Sequence, residues 1–537
     1  MGAGILFCLA VIPALAAPMP LLTSHTRSEV VGGRAAFVGQ LPEDKILRLT
    51  IALPLRNEAE LDQLLEQLYD PQSPSYRHFL SVQEFTERFG PSREDYDAVI
   101  QFVQEHGLAV ADLTDNRHLL DVVGTVAAIE ETFHVSMGVY QHPTENRTFF
   151  APDREPAVDL PFALWHITGL DDFSIPHPAS LFRSPELTVS PNATGSGPGG
   201  DFIQSDLRAA YYTGKLNGAG QSVGLLEFAG YNINDVNKYF SVVKQKRTVV
   251  VKGVSVDGSS LSCTGKCNDG EQVIDIEAAI SMAPGMKEVL VYVSDTSDVK
   301  IFNRMATDNI AKALSCSWVW APADPKSDDP IFKQFGAQGQ TLFAAAGDSG
   351  AYKSTNHTFP AEDALVTAVG GTDLTTTGPG GAWKSETAWS HSGGGISPDK
   401  FAIPLYQTLG GVITKGNGGS TKYRNVPDVA AEANTDNYVC LNGVCQTGWG
   451  GTSFAAPRWA GFTAMVDQQG KANGSAPIGV GGINFVVYLI GLGGSYHSAL
   501  HDITTGTNGT YHCTKGYDLV TGWGSPNGAG LINLLVP

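Results

Sequence analysis

The stretch GGTSFAAP, Gly450 to Pro457, reads as a glycine-softened turn that hands a strand over to a helix. Ser453 follows two glycines and a threonine and opens the apolar run SFAAPRWAGFTAMV. Glycines let a chain turn tightly, and a helix N-terminus offers free N–H groups and the positive end of a dipole. A hydroxyl placed there can attack a carbonyl whose oxygen becomes negative and needs those donors. Gly-Thr-Ser alone favours the simpler reading, a serine that caps a helix. The longer string through Ala-Ala-Pro tips the balance toward a nucleophile.

A serine nucleophile needs a base. Of thirteen histidines, only His357, His391, His497, His501 and His512 lie in the C-terminal part. None stands in an HGTH-like stretch, so a Ser-His-Asp set is disfavoured. The turn GDSG at Gly347–Gly350 has the look of a chymotrypsin-type nucleophile turn, but the upstream TAAHC-like histidine that architecture requires is missing. Carboxylates offer another route. NDGEQVIDIEAAISMAPG, Asn268 to Gly285, predicts a helix with Asn268 or Asp269 as cap and a stop at Pro284-Gly285. Glu271 and Asp275 are i and i+4 and share a face. Like charges at that spacing repel, so one carboxyl tends to keep a proton. Such a pair can act as a base in acid, where imidazole is already protonated. Two acids on a solvated helix would be the commoner situation. The apolar flanks VI and AAI point instead to burial. Asp348 ends the apolar strand TLFAAA; kept neutral, it can donate a hydrogen bond to an oxyanion, and otherwise it is an Asx-turn residue.

The surroundings of these residues set the fold class. From about Asp201 apolar strands (QSVGLLEFAGY, KEVLVYVSD, IAKALSCSW, TLFAAAGDSG) alternate with helices, which predicts a parallel sheet covered on both faces. Working groups in such sheets gather beyond the carboxyl ends of the strands. Residues 41–172 are richer in charge and mix helical runs such as NEAELDQLLEQLYD with strands, a small ferredoxin-like α/β domain. The predicted organisation is a secretory signal at 1–17, an N-terminal domain at 18–173, an exposed linker open to processing at 174–200, and the main α/β domain at 201–537. The leader is apolar and ends in Ala14-Leu15-Ala16, although it carries no Lys or Arg. No other stretch is long enough to span a membrane.

Lys plus Arg is 35 against 54 Asp plus Glu, a formal charge of −19, which argues against nucleic acid or an anionic membrane as a partner. Six cysteines remain once Cys8 leaves with the signal. Cys263–Cys267 and Cys440–Cys445 are expected to pair. Cys316 and Cys513 either pair at long range or stay as free thiols. Sequons fall at Asn146, Asn192, Asn356, Asn473 and Asn508. Near the C-terminus, Asp502 and Asp518 bracket a Gly-rich loop whose oxygens suit calcium.

Taken in order, DPQSPSYRHFLSVQEFTERFGPS, EQVID, SCSW, AAAGDSG, FPAEDALVTAVGGT, SGGGIS, NVPDVAA and GGTSFAAP resemble the sedolisin family of serine-carboxyl peptidases over nearly the whole chain. The resemblance implies a subtilisin-like parallel sheet, with residues 18–173 as an activation prodomain that inhibits its own enzyme. It implies Glu271 as base, Asp275 as its partner, Ser453 as nucleophile and Asp348 as oxyanion donor. It also implies one calcium ion held by Asp502 and Asp518 and by main-chain oxygens of Ile503, Thr514 and Gly516. Gly450 departs from the family's usual serine, and Thr514 from its usual glycine. The expectation is a secreted, monomeric, self-processing zymogen active in acid on peptide or protein substrates, as an endopeptidase or a tripeptidyl-peptidase.

Overall fold

The computed structural model describes residues 17–179, 182–183, 194–265, 267–320, 325–354, 358–477 and 480–536. The expected signal, apart from its last residue, lies outside them, as do residues 184–193 of the linker and the sequons at Asn192 and Asn356. Two compact units form, one from residues up to Pro54 with Pro91–Phe173, the other from Leu55–Gly90 with Ser174 onward.

In the first unit the strand Ile46–Ala52 lies between Leu119–Thr125 and His166–Thr168, with Ala109–Leu113 outermost, all neighbours antiparallel. Alternation along the strands puts Leu47, Leu49, Ile51, Leu120 and Val122 into one core. The helices Arg93–Glu105 and Val126–Phe133 close it with Val99, Phe102, Val103, Ile129 and Phe133.

Residues 55–90, expected within the N-terminal domain, pack in the second unit. Helix α1 (Glu58–Tyr69) buries Leu61, Leu64 and Leu68 on one face, and α2 (Val82–Arg88) adds Phe85; with Phe89 these residues cluster around Ala337. Tyr69 Oη donates to Gly336 O at 2.6 Å. An apolar helical face settles wherever it finds a matching surface, whatever the chain order.

The second unit is built on an eight-stranded sheet. Strands β1 (His177–Pro178) and β2 (Phe182–Arg183) come from the linker and stand outside it. The sheet contains β3 (Ser222–Glu227), β4 (Val250–Ser255), β5 (Glu288–Val293) and β6 (Ala313–Cys316). After helix α3 (Gly270–Met282), strand β7 (Trp318–Val319) and helix α4 (Pro325–Gln338) come β8 (Thr341–Ala345), β9 (Thr367–Thr376), β10 (Trp383–Ala388) and β11 (Val429–Glu432). The order is β4-β5-β3-β6-β8-β9-β10, with β11 also on β9; only β10 runs antiparallel. Strands β3, β5, β6 and β8 are buried throughout, which explains their largely apolar sequences. The strand order reverses direction between β3 and β6, and at such a switch point a crevice opens beyond the carboxyl ends.

Strand β12 (Val444–Gly450) leads into the 22-residue helix α5 (Thr452–Asn473), which lies along α3. At Gly461 a Cβ would come within 2.8 Å of Ala279 O, so only glycine permits this close approach. Disulfides join Cys263–Cys267 and Cys440–Cys445, while Cys316 and Cys513 are separate buried thiols. No helix among the described residues is long and apolar enough to cross a membrane.

Candidate active site

The turn that presents Ser453 depends on two glycines. Gly451 has φ 152°, and a Cβ on Gly450 would lie 2.7 Å from the Asn434 carbonyl carbon and 2.8 Å from Ala433 O. The backbone before Ser453 runs hard against residues 433–434, which leaves no room for a serine at position 450. Ser453 itself is buried in the first turn of α5.

Helix α3 begins at Gly270 with Asp269 as N-cap, but the Asp269 carboxylate accepts from Asn232 N at 2.7 Å and does not cap its own helix. Glu271 and Asp275 are both buried. Burial lifts the proton affinity of Glu271 well above the usual carboxyl range; Asp275 and, to a lesser degree, Asp348 add to this, and the Ser453 hydroxyl pulls it back. The groups acting on Glu271 are therefore the three predicted partners. The Ser453 hydroxyl is close enough to be felt, yet neither Glu271 oxygen nor Ser453 Oγ completes a hydrogen bond. We take the pair as adjacent with its bond still open, a geometry that tightens when a reacting group arrives.

Asp275 Oδ1 accepts from Ser317 Oγ at 2.8 Å. Burial and then Glu227 hold its carboxyl well above the ordinary range. Glu227, the last residue of β3, is fully buried and accepts from Trp318 Nε1 at 3.0 Å. Burial raises its carboxyl too, and it interacts directly with Asp275. Glu227, Ser317 and Trp318 were missed in the sequence. The available signal was a lone acid closing an apolar parallel strand, and β3 and β6 flank the switch point where such ends meet.

Asp348, just beyond β8, is buried. Its Oδ1 accepts from Thr452 N and Thr452 Oγ1, each at 2.7 Å, while Oδ2 has no partner. Burial outweighs these two bonds and pushes the carboxyl up to about 8. Below that pH the proton sits on a carboxyl whose free oxygen can donate. The four predicted residues thus converge on one turn of α5.

The linker meets this site from two sides. β1 runs antiparallel to β7, with His177 opposite Val319 and Pro178 opposite Trp318. Ala179 N donates to Ser317 O at 2.9 Å, and Ala179 is buried, while His177 two residues earlier is exposed. β2 pairs antiparallel with β12, placing Phe182 opposite Gly450, three residues before Ser453.

In the C-terminal loop Asp518 is fully buried. Its Oδ1 accepts from Val520 N and Thr521 N and its Oδ2 from Thr514 N, and burial pushes the carboxyl up to about 7. Asp502 Oδ1 accepts from Tyr496 Oη at 3.1 Å and from Gly516 N at 3.2 Å. Thr514 is half-buried and enters this loop through its backbone. A second acidic group, Asp373, Glu432 and Asp436, brings oxygens within 4.8 Å of one another. Both Glu432 oxygens already accept from Leu374 N and Asn434 N.

Ser453 is thus a buried serine in the neighbourhood of the buried carboxyls of Glu271, Asp275 and Asp348. The chain is 30% identical to kumamolisin of Bacillus sp. (strain MN-32) over 96% of each chain, and 27% identical to sedolisin of Pseudomonas sp. (strain 101) over 95% of this chain and 90% of that one. Residues 34–173 match the pro-kumamolisin activation domain. The solved structure of Pseudomonas sedolisin, a serine-carboxyl proteinase, superposes with a TM-score of 0.53 at 26% identity, covering 62% of this chain and 96% of that one. The chain belongs to the sedolisin family of serine-carboxyl peptidases and carries that family's activation domain.

One consequence follows for stability. Burial above all holds Glu277, Glu432, Asp436 (about 8) and Asp348 (about 8) protonated far beyond the range of a free carboxyl. A raised folded-state pKa stabilises fully below the unfolded value, and that contribution is lost as pH rises through the folded value. These groups therefore lower the stability of the fold progressively as pH rises above about 4. The denaturant midpoint of the processed enzyme should fall steadily over that range. A flat or rising midpoint would refute the assignment.

Proposed function

We propose that Ser453, Glu271, Asp275 and Asp348 hydrolyse peptide bonds by acyl transfer. The observation that carries this is the mutual influence of Glu271, Asp275, Ser453 and Asp348 in one buried turn. Ionised Glu271 takes the Ser453 proton as Oγ attacks the substrate carbonyl carbon. Asp275, steadied by Ser317 and sharing protons with Glu227, holds Glu271 in place. The oxyanion accepts from protonated Asp348 and from a backbone N–H at the start of α5. Glu271 then gives its proton to the leaving amine, and water repeats the sequence on the acyl-enzyme.

The base must be ionised while Asp348 is neutral. In the precursor, Ala179 lies over Ser317 and helps to keep Glu271 desolvated and protonated. Loss of the linker admits water, which lowers the Glu271 pKa toward the ordinary carboxyl range. The mature enzyme is then active in acid, and the precursor stays quiet. Export by the leader fits this reading, with the activation domain as inhibitor during passage and peptides or proteins as substrates. The enzyme acts as a monomer.

The linker serves as the first substrate. Two described pieces of it run antiparallel to β7, next to Ser317, and to β12, which leads into Ser453. Three residues of extended chain reach about 10 Å. The bond cut should therefore lie between Ala179 and Phe182. At about pH 4 the purified precursor should shorten, and mass spectrometry should find a new N-terminus at Ser180, Leu181 or Phe182. Ser453→Ala should leave the chain whole. An adhesion or binding protein would show neither result, and a first cut elsewhere in 184–200 would reject the threading.

Asp502 and Asp518 with the main-chain oxygens of Ile503, Thr514 and Gly516 fit a calcium ion in donor chemistry: two carboxylates and three carbonyls from one loop. The buried Asp518 carboxyl lacks a cationic partner among its described contacts. Bound calcium would brace a loop that Ala388 N of β10 already ties through Thr505 O. A chelator should lower the melting temperature by several degrees, and calcium should restore it. Unchanged melting would remove the ion from this account.

A further inference from the structure

We propose that the stacked imidazoles of His25 and His166 form an acid-released latch that fastens the N-terminal arm of the activation domain to its sheet. The inference rests on reading residues 34–173 as that domain.

The two rings are buried and stack with centroids 4.3 Å apart and planes 17° from parallel. His25 comes from the arm and His166 from the edge strand His166–Thr168. The hydrogen bonds fix neutral tautomers. Ile167 N donates to His25 Nε2 at 2.9 Å, so that nitrogen carries no proton. Thr23 Oγ1 donates to Trp165 O at 2.8 Å, which spends its only proton. His166 Nδ1, 2.7 Å from the same oxygen, must then be the donor. The arm is also tied by the antiparallel pairing of Met19–Pro20 with Ala157–Val158, by Leu22 N to Leu164 O and by Glu155, which accepts from Ser24 Oγ, His25 N and Thr26 N.

Three charged groups face the pair. Glu155 Oε2 lies 3.8 Å from His25 Nδ1. Arg27, ion-paired with Asp171 at 2.9 Å, disfavours a positive His166. Glu155 stays ionised in acid, because the hydrogen bonds from His25, Ser24 and Thr26 outweigh its partial burial. A second proton on His25 must go to Nε2, where it meets the Ile167 N–H head-on and removes that bond. A second proton on His166 would put a cation against the other ring and near Arg27. Burial first, then His25 and Arg27, hold His166 well below the usual imidazole range, so the folded arm binds fewer protons than the open one. Stability carried by a depressed imidazole is present above the unfolded pKa and is lost as pH falls. Acidification therefore opens the arm and bares the edge of His166–Thr168.

The test uses the full precursor carrying Ser453→Ala, so its outcome is independent of peptidase activity. Hydrogen-exchange protection in peptides spanning 19–27 and 164–168 should drop at least about 30-fold between neutral pH and about pH 4.5. His25→Gln with His166→Asn preserves the acceptor and the donor but cannot gain charge, and should reduce the drop to about threefold or less. Protection at neutral pH shows whether that variant is folded; if it is not, His166→Asn alone is held to the same criterion. With Ser453 intact, the double variant should need about one pH unit more acid for half-processing. An arm that opens at the same pH in both proteins, or in neither, overturns the latch.

Discussion

Replacing Glu271 with glutamine should lower kcat for peptide hydrolysis by about four orders of magnitude while KM changes little. Glutamine has nearly the same shape and can still meet the Ser453 hydroxyl, but it cannot take the proton. Nothing else near Ser453 can do so: Asp348 is held near 8 by burial and already bonded to Thr452, and Asp275 is turned toward Ser317 and Glu227. Members of such a unit fail together, so Ser453→Ala added to Glu271→Gln should cost little more. The measurement is steady-state kinetics on a short peptide, with thermal melting to confirm the fold. A loss smaller than about tenfold would mean that another group is the base.

Removing the Asp348 side chain separates donor from base. Asp348→Ala should cost about 10²–10³ in kcat, the range typical of losing one oxyanion donor. Asp348→Asn should recover much of this. An asparagine oxygen can accept from Thr452 N and Oγ1 as the aspartate does, leaving the amide N–H where Oδ2 now lies without a partner. The asparagine cannot ionise, so the alkaline limb that Asp348 imposes near 8 should disappear from the pH profile of kcat. If asparagine is no better than alanine, or the limb stays in place, Asp348 does not donate to the oxyanion.

Much of this site was legible because its parts are local. Glu271 and Asp275 sit one turn apart on an apolar helix, and Ser453 stands in a turn that only glycines permit. Those features are written in adjacent residues. Glu227 was not legible, since a glutamate at the end of a strand gains meaning only when Trp318 of β7 and Asp275 of α3 are brought to it. Gly450 could be noticed as a departure, but its cause, the backbone at Ala433 and Asn434, lies 17 and 16 residues upstream, just after β11. The histidine pair is a sharper case. Positions 25 and 166 carry no shared pattern, and only the edge of a sheet makes them neighbours.

By itself, then, the sequence determined the class of architecture, the glycine turn before Ser453 and the helical face of the two acids. Hydrophobic period, turn chemistry and i,i+4 spacing act over a few residues and need no partner. Tertiary structure alone decided that residues 55–90 pack in the second unit against Ala337, that residues 177–178 and 182–183 of the linker pair with β7 and β12, and which carboxyls are buried. Each of these depends on desolvation and on backbone edges finding one another across hundreds of residues, and neither quantity exists before the chain is folded.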